Sequence, residues 1–372
     1  MNRALTGLVV MAAAVLVSAS PAVADAAPAI PAPWAVQAVP PPDGFGGNFQ
    51  GGVSCPAAGE CVAVRSGTVN TVERWDGTSW AAQSVPTPPH EHHGQSLGVS
   101  CDTPANCVAV GFYYNASNAA TAIIEQWNGA AWTFPAAPVP VNATSSRLDA
   151  VSCQSPANCM AAGTYTTDTG MTQFTPFAAH WNGTSWTFET MPGSASSLSC
   201  PTASECLAVG GVGAFAERWR DGVWQAMSAP PPPAGASSLY ELNGVSCHNA
   251  RTCVAVGSYF GASGILQPAA EAWNGHVWTV STPPAPATTL EARLTAVSCA
   301  TTTSCTAVGY SGYKPNLNHT LAVALTAASW RIQRTVQPLQ DEGFLSVSCV
   351  TAVSCVAMGW QGKPDNMLVE AH

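Results

Sequence analysis

Fourteen cysteines are the most reactive side chains of this 372-residue chain, and they form seven pairs with five residues between partners. Cysteine pairs either bind metal or oxidise to disulfides. Structural zinc sites space their pairs two to four residues apart and add a second pair or histidines, and this spacing provides neither. We therefore predict disulfides, and no bound metal, at Cys55/Cys61, Cys101/Cys107, Cys153/Cys159, Cys200/Cys206, Cys247/Cys253, Cys299/Cys305 and Cys349/Cys355.

Charged side chains recur six residues before the first cysteine of several pairs, just before the predicted first strand. Arg147 and Arg293 occupy equivalent positions, Glu241 occupies the same position in another copy, and Asp149 lies nearby. Arginine beside carboxylates can orient a carboxylate or polyol ligand. The alternative is a solvated rim of ion pairs. We predict that Arg147, Glu241 and Arg293 contribute to a ligand site.

Aromatic residues follow the glycine that ends the V-S-C-x5-C-x-A-V-G motif in five of the seven copies. Flat aromatic surfaces stack on sugars and anchor protein partners. The alternative is that these rings pack the ends of strands. We predict that the following contribute to ligand binding: Tyr113, Tyr165, Tyr259, Tyr310 and Trp360.

Two further groups of side chains invite chemistry. His90, His92 and His93 flank Glu91 and could bind a metal, but four adjacent loop residues favour a solvated loop, so we expect no metal and no cofactor. A glutamate also recurs in the third strand of most repeats. Because a catalytic residue is needed only once, we expect a structural role for Glu73, Glu125, Glu217, Glu271 and Glu370.

The repeat that carries these residues predicts the fold. Successive cysteine pairs start 46 to 52 residues apart, and the fifth copy contains four short apolar runs without helical periodicity. Repeats of this length with four strands each are typical of propeller blades. We predict an all-β, seven-bladed β-propeller of four-stranded antiparallel blades. The four runs are Leu242–Cys247, Cys253–Gly257, Ala269–Trp273 and Trp278–Ser281.

The two chain ends predict how the ring closes. The segment that begins at Trp34 has the form of a fourth strand, whereas the last repeat stops at His372 after its third strand. We predict that the N-terminal strand completes the last blade, which also protects its sheet edge. Residues 33–372 then form one domain. Small residues three positions before each first cysteine fit the crowded centre of such a ring.

Residues 1–24 have the features of a secretory signal peptide: one positive charge, a short apolar run and an A-x-A site. An Ala/Pro-rich linker follows at 25–32. With 12 Lys and Arg and a net charge of -9, the chain lacks the basic footprint of a nucleic-acid-binding protein. No other stretch is apolar enough to span a membrane. We predict a secreted, extracellular monomer.

The motif resembles the Cys-containing propeller repeats of secreted bacterial proteins. The turns Asp76-Gly77-Thr78-Ser79-Trp80 and Asn182-Gly183-Thr184-Ser185-Trp186 are also loosely similar to Asp-boxes, although the acidic residue lies one place closer to the glycine, and Gly210-Gly211 matches the kelch doublet. The resemblance implies a glycan- or protein-binding scaffold. The alternative is a sialidase-like or other glycoside hydrolase, but only two arginines stand where a sialidase needs three.

Overall fold

All regular secondary structure in the described part of the chain is β-strand, in a computed structural model of the protein. The structure describes residues 33–40, 50–65, 71–83, 85, 94–211, 213–228, 230–287, 289–314, 317–327, 329–337, 341–362 and 366–372. The predicted signal peptide, the linker and the His90–His93 loop lie outside these residues. Within them, no helix is long and apolar enough to span a membrane.

The strands follow one another along the chain in groups of four. They are β1 (Ala35–Val36); β2 (Gly51–Ala57), β3 (Glu60–Arg65), β4 (Thr71–Trp75) and β5 (Trp80–Gln83); β6 (Gly94–Thr103), β7 (Asn106–Tyr114), β8 (Ala120–Trp127) and β9 (Trp132–Thr133); β10 (Ser145–Ser155), β11 (Asn158–Thr166), β12 (Thr175–Trp181) and β13 (Trp186–Thr190); β14 (Ser197–Thr202), β15 (Glu205–Gly210), β16 (Phe215–Arg220) and β17 (Val223–Ala226); β18 (Ala236–Asn249), β19 (Thr252–Gly261), β20 (Leu266–Trp273) and β21 (Trp278–Ser281); β22 (Glu291–Thr301), β23 (Ser304–Lys314), β24 (Leu317–Thr326) and β25 (Ser329–Gln333); and β26 (Glu342–Thr351), β27 (Ser354–Gln361) and β28 (Asn366–Ala371).

Each group of four consecutive strands forms a four-stranded antiparallel sheet, and β26, β27 and β28 form another such sheet with β1. We number the sheets in chain order, from the first (β2 to β5) to the sixth (β22 to β25), and call the sheet of β26, β27, β28 and β1 the last sheet. A single parallel pair, Leu266 with Glu291, joins the fifth and sixth sheets. The predicted four-stranded antiparallel unit is confirmed, although β18 and β19 extend well beyond the apolar runs that predicted them.

The N-terminal strand belongs to the last sheet, as predicted. Ala35 pairs with Ala371, and Val36 pairs with Glu370. Trp34 is buried beside them, with its ring 5.9 Å from Phe344. The apolar indole therefore fixes the strand against the sheet that the C-terminus begins.

Disulfides close the hairpin between the first two strands of each sheet, which confirms the predicted pairing. In the fifth sheet Cys247 lies directly opposite Cys253, and the Cα–Cα distance is 3.9 Å. The bridges are Cys55–Cys61, Cys101–Cys107, Cys153–Cys159, Cys200–Cys206, Cys247–Cys253, Cys299–Cys305 and Cys349–Cys355, and no free cysteine is present.

The serine that precedes the first cysteine of each pair joins one sheet to the next, a role that the sequence analysis did not assign. Its hydroxyl accepts a hydrogen bond from the backbone amide of the first cysteine in the following sheet. Each such bond contributes about 1 kcal/mol and satisfies a part-buried amide. The pairs are Ser54 with Cys101, Ser100 with Cys153, Ser152 with Cys200, Ser199 with Cys247, Ser246 with Cys299, Ser298 with Cys349, and Ser348 with Cys55 of the first sheet.

Candidate functional site

A cavity of about 1030 Å³ lies at one end of the first strands and is called the mouth cavity here. A smaller cavity of about 200 Å³, called the axial cavity here, adjoins it. The small residues expected at a crowded centre line the axial cavity: Gly52, Gly98, Ala150, Ser197, Gly244, Ala296 and Ser346. The two cavities share one residue from each sheet, and these shared residues are called the collar: Gly51, Leu97, Asp149, Ser196, Asn243, Thr295 and Leu345.

β-Bulges place most of the collar. In β10 the register shifts between Leu148 and Ala150, so Asp149 has no partner in the ladder. The same irregularity occurs at Leu97, Asn243, Thr295 and Leu345. A bulge bends its strand and redirects one side chain, and here each bulged residue lines both cavities.

The bulges also explain the glycine that ends the motif. A Cβ placed on Gly257 would lie 1.9 Å from the backbone oxygen of Glu241. The bulged first strand therefore presses its carbonyl against the second strand, and only glycine leaves room for it. The same approach, between 1.8 and 2.0 Å, occurs at Gly111, Gly163, Gly309 and Gly359.

Arg147 and Arg293 both line the mouth cavity, and a carboxylate already neutralises each of them. Arg147 lies 3.0 Å from Asp149. Arg293 forms an ion pair with Glu241, which also accepts a hydrogen bond from Ser258. The mouth therefore presents fixed hydrogen-bonding groups and little uncompensated positive charge.

Asp149 is the carboxylate of the collar, and its surroundings are unfavourable to a negative charge. Burial raises its pKa above the ordinary range, and the guanidinium of Arg147 opposes that rise. The side chain of Arg147 is 54% exposed, whereas that of Asp149 is 18% exposed. The partner of the largely buried Asp149 is thus an arginine that is mostly exposed to solvent, and such an exposed ion pair contributes little stability.

Aromatic rings stand on two sides of the mouth cavity. Tyr310 and Trp360 form an edge-to-face pair with ring centroids 5.3 Å apart. The indole of Trp360 covers Gly343, where a Cβ would lie 2.3 Å from the ring. Phe112 and Tyr114 form the second edge-to-face pair, at 5.5 Å. Tyr114 was not among the residues that the sequence analysis selected.

The structure does not bring Tyr113, Tyr165 and Tyr259 to the mouth cavity. Tyr259 is buried, and its hydroxyl donates to Gln267 at 2.7 Å. Tyr165 packs edge-on against Phe177, with centroids 5.8 Å apart. Side chains alternate between the faces of a strand. The first residue after the motif glycine therefore faces the mouth, and the second faces a neighbouring sheet.

The recurring glutamates are buried within the sheets, in agreement with the expected structural role. Tyr240 donates a hydrogen bond to Glu271 at 2.7 Å, and the amide of Val336 donates to Glu370 at 3.2 Å. Burial raises the pKa of Glu217, Glu271 and Glu370 to about 7. Glu271 and Glu370 thus link their third strands to the chain leading into the same sheet, whereas Glu73 pairs with Arg65 of β3.

A metal site is not formed by the described residues, among which no three His, Cys, Asp or Glu side chains cluster. The groups that the mouth offers to a ligand are aromatic faces, the polar side chains of the collar and two paired arginines. Of the two carboxylates paired with these arginines, Asp149 lines the mouth cavity, whereas the predicted site residue Glu241 does not line it and is bonded to Arg293.

No protein-family model and no curated protein matches this chain in sequence. Solved structures do match it. YCF48 bound to D1 peptide has a TM-score of 0.55 at 13% identity, over 92% of this chain and 97% of that chain. YCF48 from Cyanidioschyzon merolae has a TM-score of 0.56 at 11% identity, over 92% and 99%.

A third solved structure, the Hadza microbial sialidase Hz136, has a TM-score of 0.50 at 8% identity, over 77% of this chain and 66% of that chain. These neighbours are β-propeller proteins, and the likeness extends along most of the chain. The fold is therefore a β-propeller. At such low identity the likeness establishes the fold alone.

Proposed function

We propose that this protein is a secreted binding scaffold that takes a glycan or a segment of an extracellular protein into the mouth cavity. One observation carries the proposal: the two aromatic pairs, Tyr310 with Trp360 and Phe112 with Tyr114, line a preformed cavity of about 1030 Å³. Binding sites are concave, largely preformed and lined by aromatic residues with a few placed polar groups.

The charge at the mouth favours an uncharged or weakly charged ligand. Asp149 and Glu241 already pair with Arg147 and Arg293, so a ligand carboxylate has to compete with a carboxylate in place. Sugar hydroxyls or peptide amides can bond to these groups without displacing either partner. This arrangement differs from the three-arginine cluster that a sialidase needs.

We further propose that the scaffold is a seven-bladed ring formed by residues 33–372 and acts as a monomer. Two contacts between the first and last sheets support closure. The amides of Val53 and Cys55 donate to Ser346 at 3.1 Å and to Ser348 at 2.9 Å. The strand after Trp34 supports it too, because it caps the last sheet and thereby covers an edge.

Export is proposed from residues 1–24, and the disulfides support it. They indicate an oxidising environment, since such bonds persist in extracellular proteins and are rare in the cytosol. A folded chain that keeps all of its cysteines paired fits that environment.

The test is a glycan array and a peptide array probed with the purified chain, followed by titration of the best ligand. Trp360→Ala should weaken binding about tenfold or more, because central aromatic anchors supply most of a binding free energy. Tyr113→Ala is the matched control, since its ring does not line the cavity, and it should bind as the wild type does. Equal binding by the wild type and Trp360→Ala would refute the proposal.

Glycoside hydrolysis is the second candidate function, and Asp149 is the observation that favours it. A carboxyl group whose pKa is raised by burial in a cleft is suited to donate a proton. A hydrolase also needs a second carboxylate, and Glu241 is the one bound to Arg293. Turnover of aryl glycosides that Asp149→Asn abolishes would establish this alternative.

A further inference from the structure

A second cavity, of about 480 Å³, lies on the sixth sheet away from the mouth. It is called the crevice here and is lined by Tyr313, His319, Leu321, Ile332, Arg334 and Pro286, among others. Leu321 packs in one apolar cluster with Val254 and Val256 of the fifth sheet. The crevice thus opens on the face of the sixth sheet that meets the fifth.

His319 is the unexplained group of the crevice. His319 pairs with Ser311 of the neighbouring strand β23. It lies two residues before Leu321, so the side chains of His319 and Leu321 occupy the same face of β24. Its Nδ1 atom is out of contact with water and has no hydrogen-bond partner among the described residues. A ligand in the crevice cannot reach this buried nitrogen either, so the imidazole can bond to a ligand only through Nε2, its other ring nitrogen.

The wall beside His319 is preorganised. Gln337 donates hydrogen bonds from Nε2 to the hydroxyls of Thr335 at 2.7 Å and Thr320 at 3.0 Å. The hydroxyl of Thr335 also donates to the carbonyl oxygen of Thr320 at 3.2 Å. These bonds fix the segment after β25 against β24, so a ligand meets a surface that needs no ordering.

The rest of the lining defines a class of ligand. Tyr313 packs edge-to-face with His319, with centroids 5.3 Å apart, and adds an aromatic surface. Ile332 is 45% exposed and supplies an apolar side. An aromatic ring beside an imidazole suits a molecule with one C–H face and hydroxyls at its edge. We propose that the crevice is a second binding site, independent of the mouth cavity, for a single sugar residue of pyranose size.

The experiment is saturation-transfer NMR and calorimetric titration of the full chain with glucose, galactose, N-acetylglucosamine and glucuronate. We expect at least one sugar to bind, and His319→Ala to lower its affinity about tenfold, the effect of one lost hydrogen bond of about 1.4 kcal/mol. His276→Ala replaces a histidine of the β20–β21 turn, outside the crevice, and should leave binding unchanged. Far-ultraviolet circular dichroism confirms that both variants are folded.

Trp360→Ala separates this proposal from the mouth cavity. Because Trp360 lines the mouth and not the crevice, the variant should retain sugar binding. The proposal is overturned if no sugar binds, if His319→Ala binds as the His276→Ala control does, or if Trp360→Ala abolishes binding. Arg334→Gln identifies the ligand charge, and a loss confined to glucuronate would show that the guanidinium recognises the carboxylate.

Discussion

Glu271 gives the sharpest prediction about stability, because its surroundings oppose its charge. The side chain is fully buried and accepts a hydrogen bond from Tyr240 at 2.7 Å. Its Oε2 atom has no hydrogen-bond partner among the described residues. Desolvation raises the pKa of Glu271 from 4.5 to about 7. Glu271→Gln replaces the neutral acid by a neutral group of the same shape.

The direction of the effect follows from linkage. Below pH 4.5 the carboxyl is protonated in both states and contributes no pH dependence. Between pH 4.5 and about 7 the unfolded chain loses this proton and the folded chain keeps it, so the free energy of unfolding falls as pH rises. Since one pKa unit corresponds to about 1.4 kcal/mol, the full loss is about 3 kcal/mol.

The assay is urea unfolding of the disulfide-intact protein at pH 4, 6 and 8. Glu271→Gln should equal the wild type at pH 4 and exceed it by about 3 kcal/mol at pH 8. Glu60→Gln, at an exposed carboxylate, is the matched control and should follow the wild-type pH profile. If Glu271→Gln keeps the wild-type slope between pH 4 and pH 8, burial does not control this carboxyl and the reasoning is wrong.

Three further perturbations test the repeated motif. Ser298→Ala removes the acceptor of the Cys349 amide and should lower the free energy of unfolding by about 1–2 kcal/mol in urea, whereas Ser79→Ala, at an exposed serine, should change it little. Reduction of the seven disulfides should lower the midpoint temperature of thermal unfolding, because each disulfide closes a short loop and stabilises the folded chain by about 2 kcal/mol. An unchanged midpoint in calorimetry with reductant would contradict this. Gly257→Ala brings a Cβ to 1.9 Å from a backbone oxygen and should destabilise by several kcal/mol, whereas Gly264→Ala, with nothing within 4 Å, tests backbone strain alone.

The aromatic positions show how far the sequence reached at the site. Tyr310 and Trp360, predicted from their place after the motif glycine, do line the mouth cavity. Tyr113, Tyr165 and Tyr259 do not, because each lies one residue further along and strand alternation turns it to the other face. Counting residues from the motif glycine supplies the signal that distinguishes the two sets.

The collar lay beyond the reach of the pattern. Asn243 and Thr295 reach the cavities because a bulge inserts each of them into its first strand. Periodicity assumes an uninterrupted ladder, and a bulge inverts the facing of every residue before it. The motif glycine is the sequence signal of the bulge, because the backbone carbonyl of the bulged first strand leaves no room for a Cβ at that position.

The sequence by itself determined the repeating unit, the cysteine pairing and the outer strand from the N-terminus. These depend on local spacing: five residues between cysteines, two-residue turns and a fixed order of short strands. Only the tertiary structure decided which side chains meet. Bulges and contacts between sheets bring Arg293 to Glu241 and Ser348 to Cys55, and they leave Nδ1 of His319 without a hydrogen-bond partner among the described residues. Linear spacing carries no information about such distances.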